Sequence, residues 1–355
     1  YKITNNLIFA FISSLLYLLY PYLFGHSQFN EKDIPFLSFW LINTYISLTI
    51  VESLFLEEKI NNSKIILLSL LTAFLIGIRT LGLLICFQYL ISIVILFNIK
   101  KININDFVKK NWKLFLIFTI PLFIFIYIFN PIFWHNPFFE VINSINVMSR
   151  YWNELCTLTL GTCMKSTSLP ASYYFIWFFF KLPILVIIGL LLFPFVEKKI
   201  FNGTPASMYY LTLLLSFFLI LFIFILKNVA VYDEIRHILF LVPMIFLIGL
   251  TNLFYFNKKL FISLGSIVFF FFLIENFSLY PYQYTWLNSF AKFTNIQKNF
   301  EIDYWGISNK NLQKKIIEYS ENNFINKNTC VYGGPYVKEF LIKKNFKCFK
   351  NYSEI

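Results

Sequence analysis

Arginine and histidine are scarce in this chain, with three of each in 355 residues. Charge of either sign is scarce too: Asp, Glu, Lys and Arg make up 14% of the residues, where a soluble domain carries about a quarter. Close CxxC and HxxxH spacings are missing, which argues against a Cys/His zinc site. No signal-peptide pattern is visible; the chain starts at Tyr1 and enters an apolar run almost at once. What fills the sequence instead is apolar: 58% hydrophobic and 21% aromatic residues. Runs of about 18 or more such residues read as transmembrane helices. The expected fold is therefore an all-α polytopic membrane protein, and its length does not count soluble domains.

Nine apolar segments are expected, at about 5–23, 34–56, 64–78, 81–98, 113–133, 173–195, 209–227, 238–256 and 260–280. The third and fourth are short and joined around Arg79. Alternate loops divide into two sets. EEKINNSK (57–64), NIKKININDFVKKNWK (98–113), VEKKIFNG (196–203) and NKK (257–259) together carry eleven lysines. The opposite set holds six basic residues: Lys32, Arg79, Arg150, Lys165, Lys227 and Arg236. The bias makes the first set cytoplasmic. The net charge of +12 is then mostly topology plus a basic tail, and calls for no nucleic acid.

This orientation puts a tail, 281–355, outside the cytoplasm, after a transmembrane domain spanning 1–280. NKNLQKKIIEYSENNF (309–324) and PYVKEFLIKKNF (335–346) pattern as helices and TCVYGG (329–334) as a strand, so the tail reads as a small α/β unit. Cys156 and Cys163 share one outer loop, and Cys330 and Cys348 lie in the tail. An oxidising compartment suits disulfides in both pairs, Cys156–Cys163 first; two pairs of unlinked thiols is the alternative.

In the same orientation every Arg and His falls at the non-cytoplasmic surface. The stretch YDEIRH (232–237) alone holds Asp233, Glu234, Arg236 and His237 between apolar runs. A guanidinium fork binds phosphate or carboxylate bidentately, and imidazole titrates near neutrality. A face that gathers both beside apolar spans suits a ligand anionic at one end and greasy at the other, such as a lipid phosphate. Plainer readings stand beside this. Arg79 can snorkel to headgroups. His135, next to Trp134, can be an interfacial anchor. Asp233 and Arg236 can form a local i,i+3 pair. Trp and Tyr at loop edges read as an aromatic belt. Lys181, about eight residues into the sixth segment, is either a functional intramembrane charge or another snorkelling lysine.

Several loops resemble a known family. P-x-x-F-G-H-S-x-x-N-x-K-D-I-P (21–35), P-x-x-W-x-N-P (131–137), D-E-I-R-H-I-L-F-L-V-P (233–243), P-Y-Q-Y-T-W-L-N (281–288) and F-E-I-D-Y-W-G-I-S (300–308) resemble a bacterial branch of the GT-C glycosyltransferases. These are the polyprenyl-phosphate-sugar-dependent enzymes related to protein O-mannosyltransferases and the lipid A aminoarabinose transferase. The resemblance implies a GT-C-like helical bundle, with sugar transfer from a polyprenyl-phosphate donor to a glycan, lipid or protein acceptor outside a bacterial inner membrane. It matches Asp33 to an acidic position near the site, and Arg236 and His237 to positions facing the lipid phosphate. The first segment resembles the family's third span, so the main general base is expected upstream of residue 1.

The residues themselves fit that chemistry. Arg236, with His237 and Arg79 or Lys181, would stabilise the leaving phosphate. A carboxylate would take the acceptor proton, Asp33 first within this chain and Asp233 second. His26, Lys32 and His135 are further site candidates. No cofactor is required; a divalent cation is compatible, though no ligand cluster demands one. The alternatives are a lipid or glycan transporter and a non-catalytic membrane assembly partner. A transporter would favour repeats and broken helices with charge at the midplane.

Overall fold

A computed structural model describes residues 1–148, 154–322, 331–332 and 349–350 of the chain. The helices are α1 (Leu7–Leu19), α2 (Pro21–Phe29), α3 (Asp33–Phe55), α4 (Asn62–Ile78), α5 (Ile85–Lys100), α6 (Ile104–Phe129), α7 (Pro137–Met148), α8 (Ala171–Lys181), α9 (Ile184–Leu191), α10 (Phe193–Ile200), α11 (Pro205–Leu226), α12 (Val242–Phe256), α13 (Lys258–Ser278), α14 (Ile296–Asn299) and α15 (Asn309–Asn322). Short 3-10 turns, Thr80–Leu84 and Arg236–Leu241, lead into α5 and α12. Among the described residues, six helices are long and apolar enough to cross a bilayer, or up to eight if each of two bent pairs counts as one span. The chain is an integral membrane protein.

Nine full crossings are not confirmed. The third segment is α4, an apolar helix of 17 residues, short for a crossing. The first and sixth segments are broken: α1 and α2 meet at 54°, and α8 and α9 at 118°. Both breaks fall at an X-Pro step. Proline clashes with a helical residue before it and drives that residue toward extended backbone, and Tyr20 (ψ 112°) and Leu182 (ψ 142°) precede Pro21 and Pro183. The descent after the second break is made by α9 and α10, which run beside α12. Gly189 of α9 meets Gly249 of α12, and the Lys199 Nζ of α10 donates to the carbonyl of Tyr255 near the end of α12 (3.2 Å).

The helices sort their ends chemically. At the lysine-rich end, Asn6, Asn61, Asn103, Thr204 and Asn257 cap α1, α4, α6, α11 and α13, each side chain accepting a first-turn N–H. Lys2 pairs with Glu52 (2.8 Å), which also accepts from the Tyr209 hydroxyl (2.9 Å). Tyr255 donates to the carbonyl of Ile3 (3.0 Å). The opposite end carries the longer connections and most of the Arg and His. Between the ends, α12 is buried along most of its length and α6 turns nearly all its surface outward. Buried polar side chains join α3, α4 and α5 without any charge: Asn43 accepts from Thr72 (3.0 Å) and Tyr89 (3.1 Å), and Gln88 accepts from Trp40 (3.1 Å) and donates to Thr44 (2.8 Å). In hydrocarbon such bonds hold helices together where apolar burial gives no preference.

The chain forms two compact units, Tyr1–Glu301 and Ile302–Ile355. Residues 281–301, expected with the tail, pack in the first unit. Asn288 donates from its side chain to the carbonyls of Phe179 (2.6 Å) and Leu182 (2.9 Å), and the Phe300 ring packs on Trp177 and Phe180. A hairpin of β1 (Cys156–Thr159) and β2 (Thr162–Lys165) lies in the loop before α8, and Cys156 and Cys163 form a disulfide across it. In the second unit, α15 is joined by β3 (Val331–Tyr332) paired parallel with β4 (Phe349–Lys350). The helix expected at 335–346, Cys330, Cys348 and Arg150 lie outside the described residues.

The α9–α12 crossing yields a direct test. A Cβ at Gly189 would stand 1.9 Å from the Gly249 carbonyl oxygen, a backbone atom that cannot step aside. Gly189→Val should cost at least about 1–3 kcal/mol of unfolding free energy in detergent. Gly77→Ala, whose new Cβ would meet only Asn130 at 3.8 Å, should leave the melting temperature unchanged.

Candidate functional site

Two X-Pro breaks, the start of α3, the end of α4 and the turn before α12 bring most of the chain's rare charges to one end of the bundle. Asp33 opens α3, where a carboxylate suits the positive helix N-terminus. Its backbone N–H and one oxygen are held by the Asn30 side chain (both 2.8 Å), and Asn30 Nδ2 also lies 3.1 Å from His26 Nδ1. The other oxygen pairs with Arg79 Nη2 at 2.5 Å. Arg79 is the residue on which α4 ends. Burial pushes its pKa down and Asp33 works the other way; a guanidinium keeps its proton against either.

The turn 232–237 supplies the second half. Asp233 (φ +54°) and Glu234 (φ +65°) are consecutive left-handed residues, and neither is glycine. Such backbone is costly and persists where the surroundings over-determine it. Its effect is to send the two carboxylates apart. Asp233 stays half-buried and pairs with Arg236 Nη2 (2.8 Å), while Glu234 enters the interior and pairs with Lys181 Nζ (2.8 Å). Arg236 lies over the Tyr232 ring (5.0 Å), which also packs on His237 (4.4 Å). His237 is within electrostatic reach of Arg236, Arg79 and Lys32, and its Nε2 is a buried atom with no hydrogen-bond partner among the described residues.

Exposure separates these pairs. The Lys181 and Glu234 side chains are both 0% exposed, whereas Arg79 retains 15% and Arg236 17%. Lys181 was expected to face a lipid phosphate. Its ammonium instead donates to Glu234 and to the carbonyls of Trp286 (2.9 Å) and Tyr284 (3.5 Å), beneath the Tyr22 ring (4.3 Å). A phosphate could reach it only by displacing Glu234. Asp33, expected as the leading base, has both oxygens engaged and holds Arg79 in place. Asp233 is more open, and burial raises its pKa against the opposing pull of Arg236. His26 is fully buried against Tyr22 (4.6 Å). Lys32 is exposed at the rim, and His135 is exposed in the loop after α6. Tyr20, Tyr22, Tyr173, Tyr174, Trp177, Tyr284 and Trp286 are buried, and Tyr22 and Trp177 face the Lys181 ammonium.

Sequence reasoning assigned no role to Glu234, Asn30, Tyr22 or Glu301. Glu234 stands in the conspicuous YDEIRH stretch, but only the left-handed turn tells that it points inward. Glu301 belongs to FEID, far along the chain; its carboxyl is raised by burial and by the nearby Asp233. Among the described residues no group of three or more His, Cys, Asp or Glu could hold a metal ion. An apolar groove of about 540 Å³ opens between α5, α8 and α11, lined by Ile91, Phe175, Leu215, Phe218 and Phe222.

Comparison with family models, with curated proteins and with solved structures finds no match to this chain. Two guanidinium groups, each paired with a carboxylate, gather at the same end of the bundle as the His237 imidazole and the half-buried Asp233.

Glu234 sets a pH test. Burial pushes its carboxyl up to about 7 from an ordinary 4.5, with Lys181 and the Tyr22 hydroxyl pulling it back. Between those values the folded chain holds a proton that the unfolded chain has released, so stability falls as pH rises through the window. Melting of the protein in detergent should drop from pH 4.5 to 7, and Glu234→Gln should flatten that slope.

Proposed function

We propose that the chain is a membrane glycosyltransferase that moves a sugar from a polyprenyl-phosphate donor to an acceptor hydroxyl on the non-cytoplasmic face of a bacterial inner membrane. The observation that carries this reading is the convergence of Arg79, Arg236 and His237 at one end of a bundle whose other end is rich in lysine. The positive-inside bias makes the lysine end cytoplasmic, and the Arg/His end and C-terminal tail non-cytoplasmic. The resemblance of the loops at 21–35, 131–137, 233–243 and 281–288 to GT-C enzymes points to the same class.

The chemistry assigned is a direct, inverting displacement. The acceptor oxygen forms a bond to the anomeric carbon as the bond from that carbon to the phosphate oxygen breaks. The electron pair leaves with the polyprenyl phosphate, and the acceptor proton passes to a carboxylate. Arg236 and Arg79 meet the charge growing on the phosphate, where preorganised donors have their largest effect. Asp233 is the carboxylate in this chain best disposed to take the proton, being half-exposed and raised in pKa. Asp33 acts through Arg79.

One observation favours a second reading. Two broken helices carrying buried charge near their breaks are features of transporters. Here both breaks lie at the end where the guanidinium groups gather, and not midway along the bundle, which suits a rim site better than a midplane one.

In reconstituted protein with a polyprenyl-phosphate sugar, Arg236→Ala should lower kcat at least about 100-fold. Unaltered turnover in that variant would remove Arg236 from the site. Flux of labelled lipid with no transfer product would favour transport.

A further inference from the structure

The Lys181–Glu234 pair is enclosed, charged and used by no step above. Its surroundings show what it joins. The Lys181 ammonium holds Glu234 (2.8 Å) of the left-handed turn and the carbonyl of Trp286 (2.9 Å) in the segment after α13. The Lys181 carbonyl accepts from the Tyr20 hydroxyl at the α1–α2 break. The Glu234 carbonyl accepts from Tyr173 (2.8 Å), in the first turn of the helix that ends at Lys181. One residue at the end of a broken helix thus fastens three segments that are far apart in sequence. Its partner Glu234 is the immediate neighbour of Asp233 and lies two residues before Arg236.

We propose that the Lys181–Glu234 ion pair is the clasp that sets the turn presenting Asp233 and Arg236, which makes Lys181 a positioning residue for the anion-binding face and not a part of it. This rests on the reading of that face given under Proposed function, although the clasp itself can be tested without any ligand. Two consecutive non-glycine residues at positive φ hold only while something pulls them there. The inward pull of a buried ammonium on Glu234 supplies it. Released, Asp233 and Glu234 would relax toward ordinary backbone, and the Asp233–Arg236 pair would lose its fixed direction.

The double variant Lys181→Met/Glu234→Gln removes both charges together, so no unpaired buried charge is left to unfold the protein. Two measurements on the full chain in detergent decide the matter. The first is amide hydrogen exchange, which should speed up at least about 10-fold over 231–237 and stay unchanged over the buried part of α12, 244–253. Unchanged exchange at the turn overturns the clasp, and so does an equal rise throughout α12, which would make the pair a general stabiliser. The second is binding of undecaprenyl phosphate. Binding by the wild type, weakened at least 10-fold in the double variant, supports the clasp acting on the anion face. Full binding by the double variant overturns that role. Absence of binding by the wild type counts against the lipid-phosphate reading alone, and the exchange result still decides the clasp.

Discussion

An ammonium with no access to water must be answered by acceptors on every side, and the outer architecture of this protein is arranged around one such group. Lys181 sits where α8 is cut from α9 by Pro183. Its charge is met by Glu234, by two backbone carbonyls and by the faces of Tyr22 and Trp177. Removing one member of a buried ion pair leaves the other uncompensated, at a typical cost of about 3–5 kcal/mol. The cost ties the left-handed turn at 233–234 and the segment around 286 to the lysine that the break at Pro183 sets in place.

The rest of the charged end is built by distributing pairs according to depth. Glu234 and Lys181 are sealed, Asp33 is nearly so, and Arg79, Asp233 and Arg236 keep a share of solvent. Each guanidinium is directed by a carboxylate from its own neighbourhood, so the positive groups converge despite their mutual repulsion. An arriving anion would relieve that repulsion. The uncharged network of Asn43, Thr72, Tyr89, Gln88 and Trp40 joins α3, α4 and α5 without any such repulsion.

Hydropathy located the apolar segments because a bilayer leaves no other way to satisfy backbone polar groups. It also drew segments through Pro21 and Pro183, where the helices break, and through Pro121, where α6 runs on, because an apolar window averages over all three alike. Bending turns α8 away from the line of α9, so Lys181 comes to lie beneath the charged turn. Composition does not tell which Tyr and Trp pack inward; Tyr22 and Trp177 close over the buried Lys181 charge.

Composition, hydropathy and lysine bias were enough to give a membrane-embedded helical bundle with most of its Arg and His at one end, since those properties are set by the solvent that each stretch of chain must face. Which charge meets which was decided by tertiary structure alone. Asp33 finds Arg79 across two helices, and Lys181 finds Glu234 across 53 positions of chain. Within YDEIRH, the alternation that sends Asp233 outward and Glu234 inward depends on two backbone angles that no pattern of residue types announces. They are held there by the ammonium that the fold delivers to Glu234.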